Sequence, residues 1–229
     1  MDKITLWFVV GFVVLVLVVI VVAGVTSGGF SAGTANSTPP EFVATTAPTI
    51  TAADWTRGKK DAKVSIIEYG DFECPACAEY SPVMNQLFAA YGDRVLFAFR
   101  NFPLYSIHPN AGISSQAAEA AGLQGKFWEM HDLLYQKQNE WAGAASSSVV
   151  NQYFDKYASS LGLDVNKFNQ NINANPVVSK VQADVAGGNA AQIDHTPTFF
   201  VNLKQIPNPT SYNDFKAVLD GALASSTGS

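Results

Sequence analysis

The sequence predicts an α/β fold: a sheet interrupted by a helical insertion and preceded by one transmembrane helix. Three observations predict it. Short β-branched and aromatic runs occur at Val64–Tyr69, Val95–Phe99 and Thr198–Asn202. The stretch from about 110 to 191 carries helical spacing with Gly and Asn punctuation. An uncharged apolar segment, Ile4–Val25, lies near the N-terminus.

Residues 4–25 are nearly all Val, Ile, Leu, Phe and Gly. At about 1.5 Å per residue, a helix of that length reaches roughly 33 Å, against a hydrocarbon core of about 30 Å. Trp7 stands near one end, where an aromatic anchor meets the interface. A cleaved signal peptide is the rival reading, with Val21 and Ala23 as its small-residue site. The apolar run exceeds the usual ~7–15 residues of such a peptide, and length favours a retained anchor. Lys3 precedes the span and the next basic residue is Arg57. The positive-inside bias then leaves residues 1–3 in the cytoplasm and the remainder outside the cell membrane, as a single-pass protein.

Residues 26–52 are rich in Gly, Ser, Thr, Ala and Pro and read as a flexible linker. A domain follows over 53–224, and 225–229 reads as a tail. Within the domain, Val64–Tyr69 is a buried strand. Cys74 to about Tyr91 is a helix, with Tyr80, Val83, Met84, Leu87 and Phe88 on one side and Gly92-Asp93 ending it. Val95–Phe99 is a second strand, and the helical stretch of 110–191 comes next. Thr198–Asn202 returns to strand, a short strand at Gln205-Ile206 follows a turn, and Tyr212–Leu223 is a last amphipathic helix. A sheet whose strands are separated by a block of helices is an α/β arrangement.

The hydrophobic fraction of 48%, with four Trp, eight Tyr and fifteen Phe, supplies ample core. Charged residues make up 14% and the net charge is −5, with no Lys/Arg cluster to neutralise phosphates. Nucleic acid is therefore not an expected partner.

The two cysteines are Cys74 and Cys77. A bridge between them closes too small a loop to stabilise the fold much. Zinc needs about four ligands, and His108, His131 and His195 form no pair at ligand spacing. No metal or cofactor is implied. A redox pair fits best, because this CxxC directly follows a buried strand and opens a helix. At the helix start, unpaired N–H groups and the dipole stabilise a thiolate on Cys74. Pro75 falls where a missing N–H costs nothing. Cys77, one turn on, can attack a mixed disulfide formed at Cys74. Cys74 is thus the expected exposed nucleophile and Cys77 the shielded resolving thiol.

Glu68 sits among Ile66, Ile67 and Tyr69. Strand alternation allows it to face solvent. If it is buried, its pKa rises and it becomes a proton relay for Cys77.

Asp71-Phe72-Glu73-Cys74-Pro75-Ala76-Cys77 resembles the active site of the DsbA-like branch of the thioredoxin superfamily. Gly125–Tyr135 is similar to a recurrent helical stretch there, and His195–Asn202 resembles the cis-proline loop with its following strand. The resemblance spans essentially 53–224 and implies a thioredoxin-like fold with a helical insertion. It implies that Pro197 is cis and faces the CxxC, and that the backbone at Thr196 binds extended client peptide. Glu68 occupies the place of a buried acidic residue in many relatives. Ala76 stands where strongly oxidising relatives often carry His, and His195 where Gly is common.

The function expected is that of an extracytoplasmic thiol:disulfide oxidoreductase promoting disulfide formation in secreted or membrane proteins. Its partners are client proteins with thiols or disulfides and a membrane redox partner that reoxidises the pair. Two rivals stand beside it. One is a reductase or isomerase of the same fold, and the other is a non-catalytic binding or chaperone module, against which the intact CxxC argues.

Overall fold

The computed structural model describes residues 48–227. The expected membrane segment at 4–25 and most of the expected linker lie outside the described residues. Among the described residues no helix is long and apolar enough to cross a membrane.

Strand β1 (Trp55–Gly58) is followed by β2 (Val64–Gly70), helix α1 (Pro75–Tyr91) and β3 (Val95–Asn101). Six helices come next: α2 (Ala111–Gly122), α3 (Phe127–Gln136), α4 (Gln138–Trp141), α5 (Ser147–Ser160), α6 (Val165–Asn171) and α7 (Asn175–Ala190). Strands β4 (Thr198–Val201) and β5 (Lys204–Ile206) and helix α8 (Tyr212–Thr227) complete the chain. The five strands form one sheet in the order β1-β3-β2-β4-β5. Only β2 and β3 pair in parallel, as their connection through α1 requires. The β4–β5 hairpin turns on Asn202 and Leu203, both at positive φ, which matches the twist of the flanking strands.

Side-chain alternation divides β2 between two cores. Val64 and Ile66 join Phe97, Phe199 and Val201 under Met84 and Leu87 of α1 and Phe215 and Leu219 of α8. Ile67 and Tyr69 face the other way, with Ala98 and Phe200, against Phe102, Ala191 and Ile193. The third core is built within the insertion. Four alanines of α2, at 117, 118, 120 and 121, are fully buried against it, and their small side chains permit close helix packing. Phe72, Phe99, Cys74 and Cys77 belong to this same cluster, so the insertion packs directly on the CxxC segment.

The structure corrects the sequence reading at three places. The strand β1 was not expected, because four residues of mixed character carry no period. The sheet supplies it through the antiparallel register Trp55↔Phe99 to Gly58↔Leu96. The helix read as ending at Leu223 continues to Thr227, into the segment read as a tail. The end of the expected linker is fastened to the domain: Ile50 packs on the Tyr69 core, and the Thr49 carbonyl accepts from Arg100 Nη2 at 2.6 Å.

Candidate active site

Cys74 is the N-cap of α1, with extended backbone, and Pro75 occupies the first helical turn. The helix contributes its free N–H groups to the sulfur, as such termini do for anions. The Cys74 thiol is pulled down to about 5. A hydrogen bond from the Cys77 side chain does most, against the opposing effect of burial, and Thr196 and the backbone N–H groups of Cys77 and Ala76 assist. Cys77 moves the other way, well above the ordinary thiol range. Burial is the main cause, followed by its bond to Cys74 and by the charges of Cys74 and Glu68. Both cysteines are free thiols in the structure. Cys74 is only 7% exposed and Cys77 0%, so the expected exposed nucleophile is in fact recessed, and the two differ by a sliver of access.

Across from Cys74, the Thr196–Pro197 peptide is cis. Cys74 Sγ donates to the Thr196 carbonyl oxygen at 3.5 Å. Apart from the Cys74 sulfur, the buried Thr196 hydroxyl has no hydrogen-bond partner among the described residues. Thr198 Oγ1 donates to the His195 carbonyl at 2.8 Å and Asn208 Nδ2 to the Pro197 carbonyl at 2.7 Å, which fixes this loop. His195 itself is exposed and pairs with Asp194 at 2.7 Å.

Glu68 is buried, 4% exposed, on the β2 face that α1 covers, in register with Phe99 and Phe199. Burial pushes its carboxyl up to about 8, with Arg57 opposing and Asp132 reinforcing. A carboxyl with that value is partly protonated near neutral pH and can both give and take a proton.

The loop before Cys74 is held by groups the sequence reading did not single out. Asp71, fully buried, accepts from the backbone N–H of Glu73 and of Leu104, each at 2.8 Å, and meets His108 Nδ1 at 2.7 Å. Glu73 accepts from Asn110 N at 2.5 Å. Gln138 Nε2 donates to the carbonyls of Phe72 at 2.7 Å and Cys74 at 2.9 Å. Asp71 and Glu73 belong to the Asp71–Cys77 motif, but Leu104, His108 and Asn110, which bond them, lie more than 30 residues on, too distant in sequence to pair by pattern. Among the described residues no group of His, Cys, Asp or Glu is arranged to hold a metal ion.

Residues 51–221 match the family model described as thioredoxin. Among curated proteins, the Na(+)/H(+) antiporter NhaA 1 of Salinispora arenicola is 35% identical over 171 residues, covering 75% of this chain and 25% of the antiporter. NhaA 1 of Mycolicibacterium gilvum is 38% identical over 160 residues, covering 68% of this chain and 24% of that protein. The chain thus spans about a quarter of the length of these curated relatives. Among solved structures, oxidised BdbD from Bacillus subtilis superposes with a TM-score of 0.68 at 24% identity, covering 80% of this chain and all of that one. Alpha-DsbA1 of Wolbachia pipientis gives 0.70 at 20% identity, covering 78% and 94%. At such identities these likenesses speak for the fold.

Proposed function

The chain belongs to the thioredoxin family, and on that premise we propose that it is a DsbA-like thiol:disulfide oxidoreductase that donates disulfides to client proteins. One observation carries the reading. Two thiols one helical turn apart are driven in opposite directions, Cys74 down to about 5 and Cys77 well up. Stabilising one thiolate stabilises the reduced pair relative to its disulfide, and a pair more stable when reduced is an oxidant.

In the proposed reaction the oxidised pair meets a client thiolate, which attacks Cys74 Sγ. The Cys74–Cys77 bond breaks and Cys77 leaves as a thiolate. Its high pKa demands a proton, and the Glu68 carboxyl supplies it. The client's second thiolate then attacks the client sulfur of the mixed disulfide. Cys74 departs readily, because a low-pKa thiolate is a good leaving group. The client gains a disulfide, and two electrons now rest on the Cys74–Cys77 dithiol. The client backbone runs beside Thr196 and Pro197, whose loop already contacts Cys74.

The uncharged span at 4–25 supports a single-pass anchor, with the N-terminus cytoplasmic and the domain outside the cell membrane. A membrane redox partner that accepts the two electrons completes the cycle. Sodium–proton exchange is not carried over from the antiporters, whose match covers a quarter of their length.

Equilibration of the pair against glutathione tests the direction. A donor lies toward the ~−120 mV typical of a strong oxidant, and a value near the ~−270 mV of thioredoxin makes the protein a reductase. Resistance of the full chain to carbonate extraction tests the anchor, and a soluble form beginning near Gly24 shows cleavage instead.

A further inference from the structure

Four buried polar atoms between α1, α3 and the sheet make no hydrogen bond among the described residues: Glu68 Oε1, Tyr135 Oη, His131 Nε2 and Arg57 Nε. Buried polar groups are nearly always satisfied, and where no protein partner exists the partner is water. Scattered orphans would be unrelated defects, but these share one region. Glu68 stands beside Phe99 in the sheet. The His131 ring packs edge-on against Phe99 at 4.7 Å and against Tyr135 at 5.0 Å. Residues 131 and 135 are one turn apart on α3 and so share a face.

Tyr135 is the member with contacts on both sides, and its hydroxyl is itself buried. Its hydroxyl lies against Gly70, where an added Cβ would approach it to 2.8 Å, at the end of the strand that carries Glu68. Its ring leans on Phe72 of the CxxC loop at 4.9 Å. The same residue lines a solvent groove of about 370 Å³ between α1 and α3, with Ala78, Ser81 and Asp132. Neither Glu68 nor Cys77 lines that groove.

We propose that Tyr135 is a proton-relay residue, its hydroxyl linking the buried Glu68–Cys77 pair to water in the groove between α1 and α3. The inference rests on the reading of Glu68 as the proton donor to Cys77. When Cys77 leaves as a thiolate and takes the Glu68 proton, the carboxylate is recharged by a proton entering from groove water. Tyr135 accepts that proton on its oxygen while releasing its own inward, so no net charge stays on it. Burial first, and then the charges of Cys77, Glu68, Asp71 and Cys74, hold its phenol well above the ordinary range. It therefore relays by exchange and does not ionise. The other charged groups facing this seam are Arg57 from β1 and Asp132 and His131 from α3. Arg57 is held by Asn85 at 2.8 Å and by stacking on Phe88 and Trp128.

The full-length protein carrying Tyr135→Phe, Glu68→Gln or both tests this. The rate of Cys77 departure is followed by rapid mixing of the oxidised protein with a dithiol peptide across pH 6–9, in H2O and D2O. Tyr135→Phe keeps the ring and should slow this step roughly a hundredfold, the low end of what a lost proton-transfer group removes. The slowing should vary with pH and enlarge the solvent isotope effect, and Cys74 alkylation should be unchanged. The double variant should be no slower than Glu68→Gln. If Glu68→Gln is slow while Tyr135→Phe matches the parent at every pH, the relay is wrong and the Glu68 reading stands. If both match the parent, the Glu68 reading falls and takes the relay with it.

Discussion

Cys74 and Thr196 are 122 residues apart in sequence, and Cys74 Sγ donates to the Thr196 carbonyl oxygen at 3.5 Å. The sheet makes this contact inevitable. Strands β2 and β4 pair antiparallel, with Tyr69 opposite Thr198. The loop leaving β2 and the loop entering β4 therefore emerge at the same end of the sheet. One brings the CxxC and the other the Thr-Pro peptide.

The two cysteines should separate cleanly by substitution. Cys74→Ser abolishes client capture. Cys77→Ser leaves capture intact but removes the internal resolving thiol, so mixed disulfides accumulate on non-reducing gels. Capture by Cys74→Ser but not by Cys77→Ser reverses the assignment of the nucleophile.

The Cys74 thiolate sets a pH signature. Iodoacetamide alkylation of the reduced protein should titrate with a midpoint near 5, where an ordinary thiol titrates near 9. The folded value lies below the unfolded one, so the thiolate's stabilisation of the reduced fold is complete above pH 9 and lost as pH falls through 5. Denaturation of reduced protein should show stability over Cys74→Ser growing from pH 5 upward. A flat difference over that range removes the thiolate.

Glu68→Gln should slow turnover while stabilising the fold at alkaline pH. Its folded value of about 8 exceeds the ordinary 4.5, so its favourable state is fully present below 4.5 and is lost as pH rises through 8. Substitution removes the cost of a buried carboxylate, on the order of a few kcal/mol above pH 8 and about nil near pH 4. Thermal melts of both proteins at pH 5 and pH 8.5 check this, and equal gaps at the two pH values show that Glu68 does not titrate.

Asp71→Ala should cost about 2–4 kcal/mol, since it strands the buried N–H of Glu73, the part-buried N–H of Leu104 and the partner of His108. Denaturant titration measures the loss. A cost below about 0.5 kcal/mol, the range of ordinary surface changes, shows that the loop holds its shape without Asp71.

The sequence by itself determined the parts that are local. The apolar runs at β2, β3 and β4, the helical spacing after Cys74, and the prolines at 75 and 197 are written within windows of a few residues, where period and backbone restriction act. It placed Glu68 in a strand but left its face open, because alternation orders the two faces without saying which is covered. The tertiary structure settled that by laying α1 over the face of Val64 and Ile66. It also made a strand of β1, whose four residues acquire a ladder only beside β3. It brought Gln138 to Phe72 across 66 residues and Leu104 to Asp71 across 33. These contacts follow from how the insertion and the loop leading into it pack on the CxxC loop, a matter of shape between distant segments that no local pattern encodes.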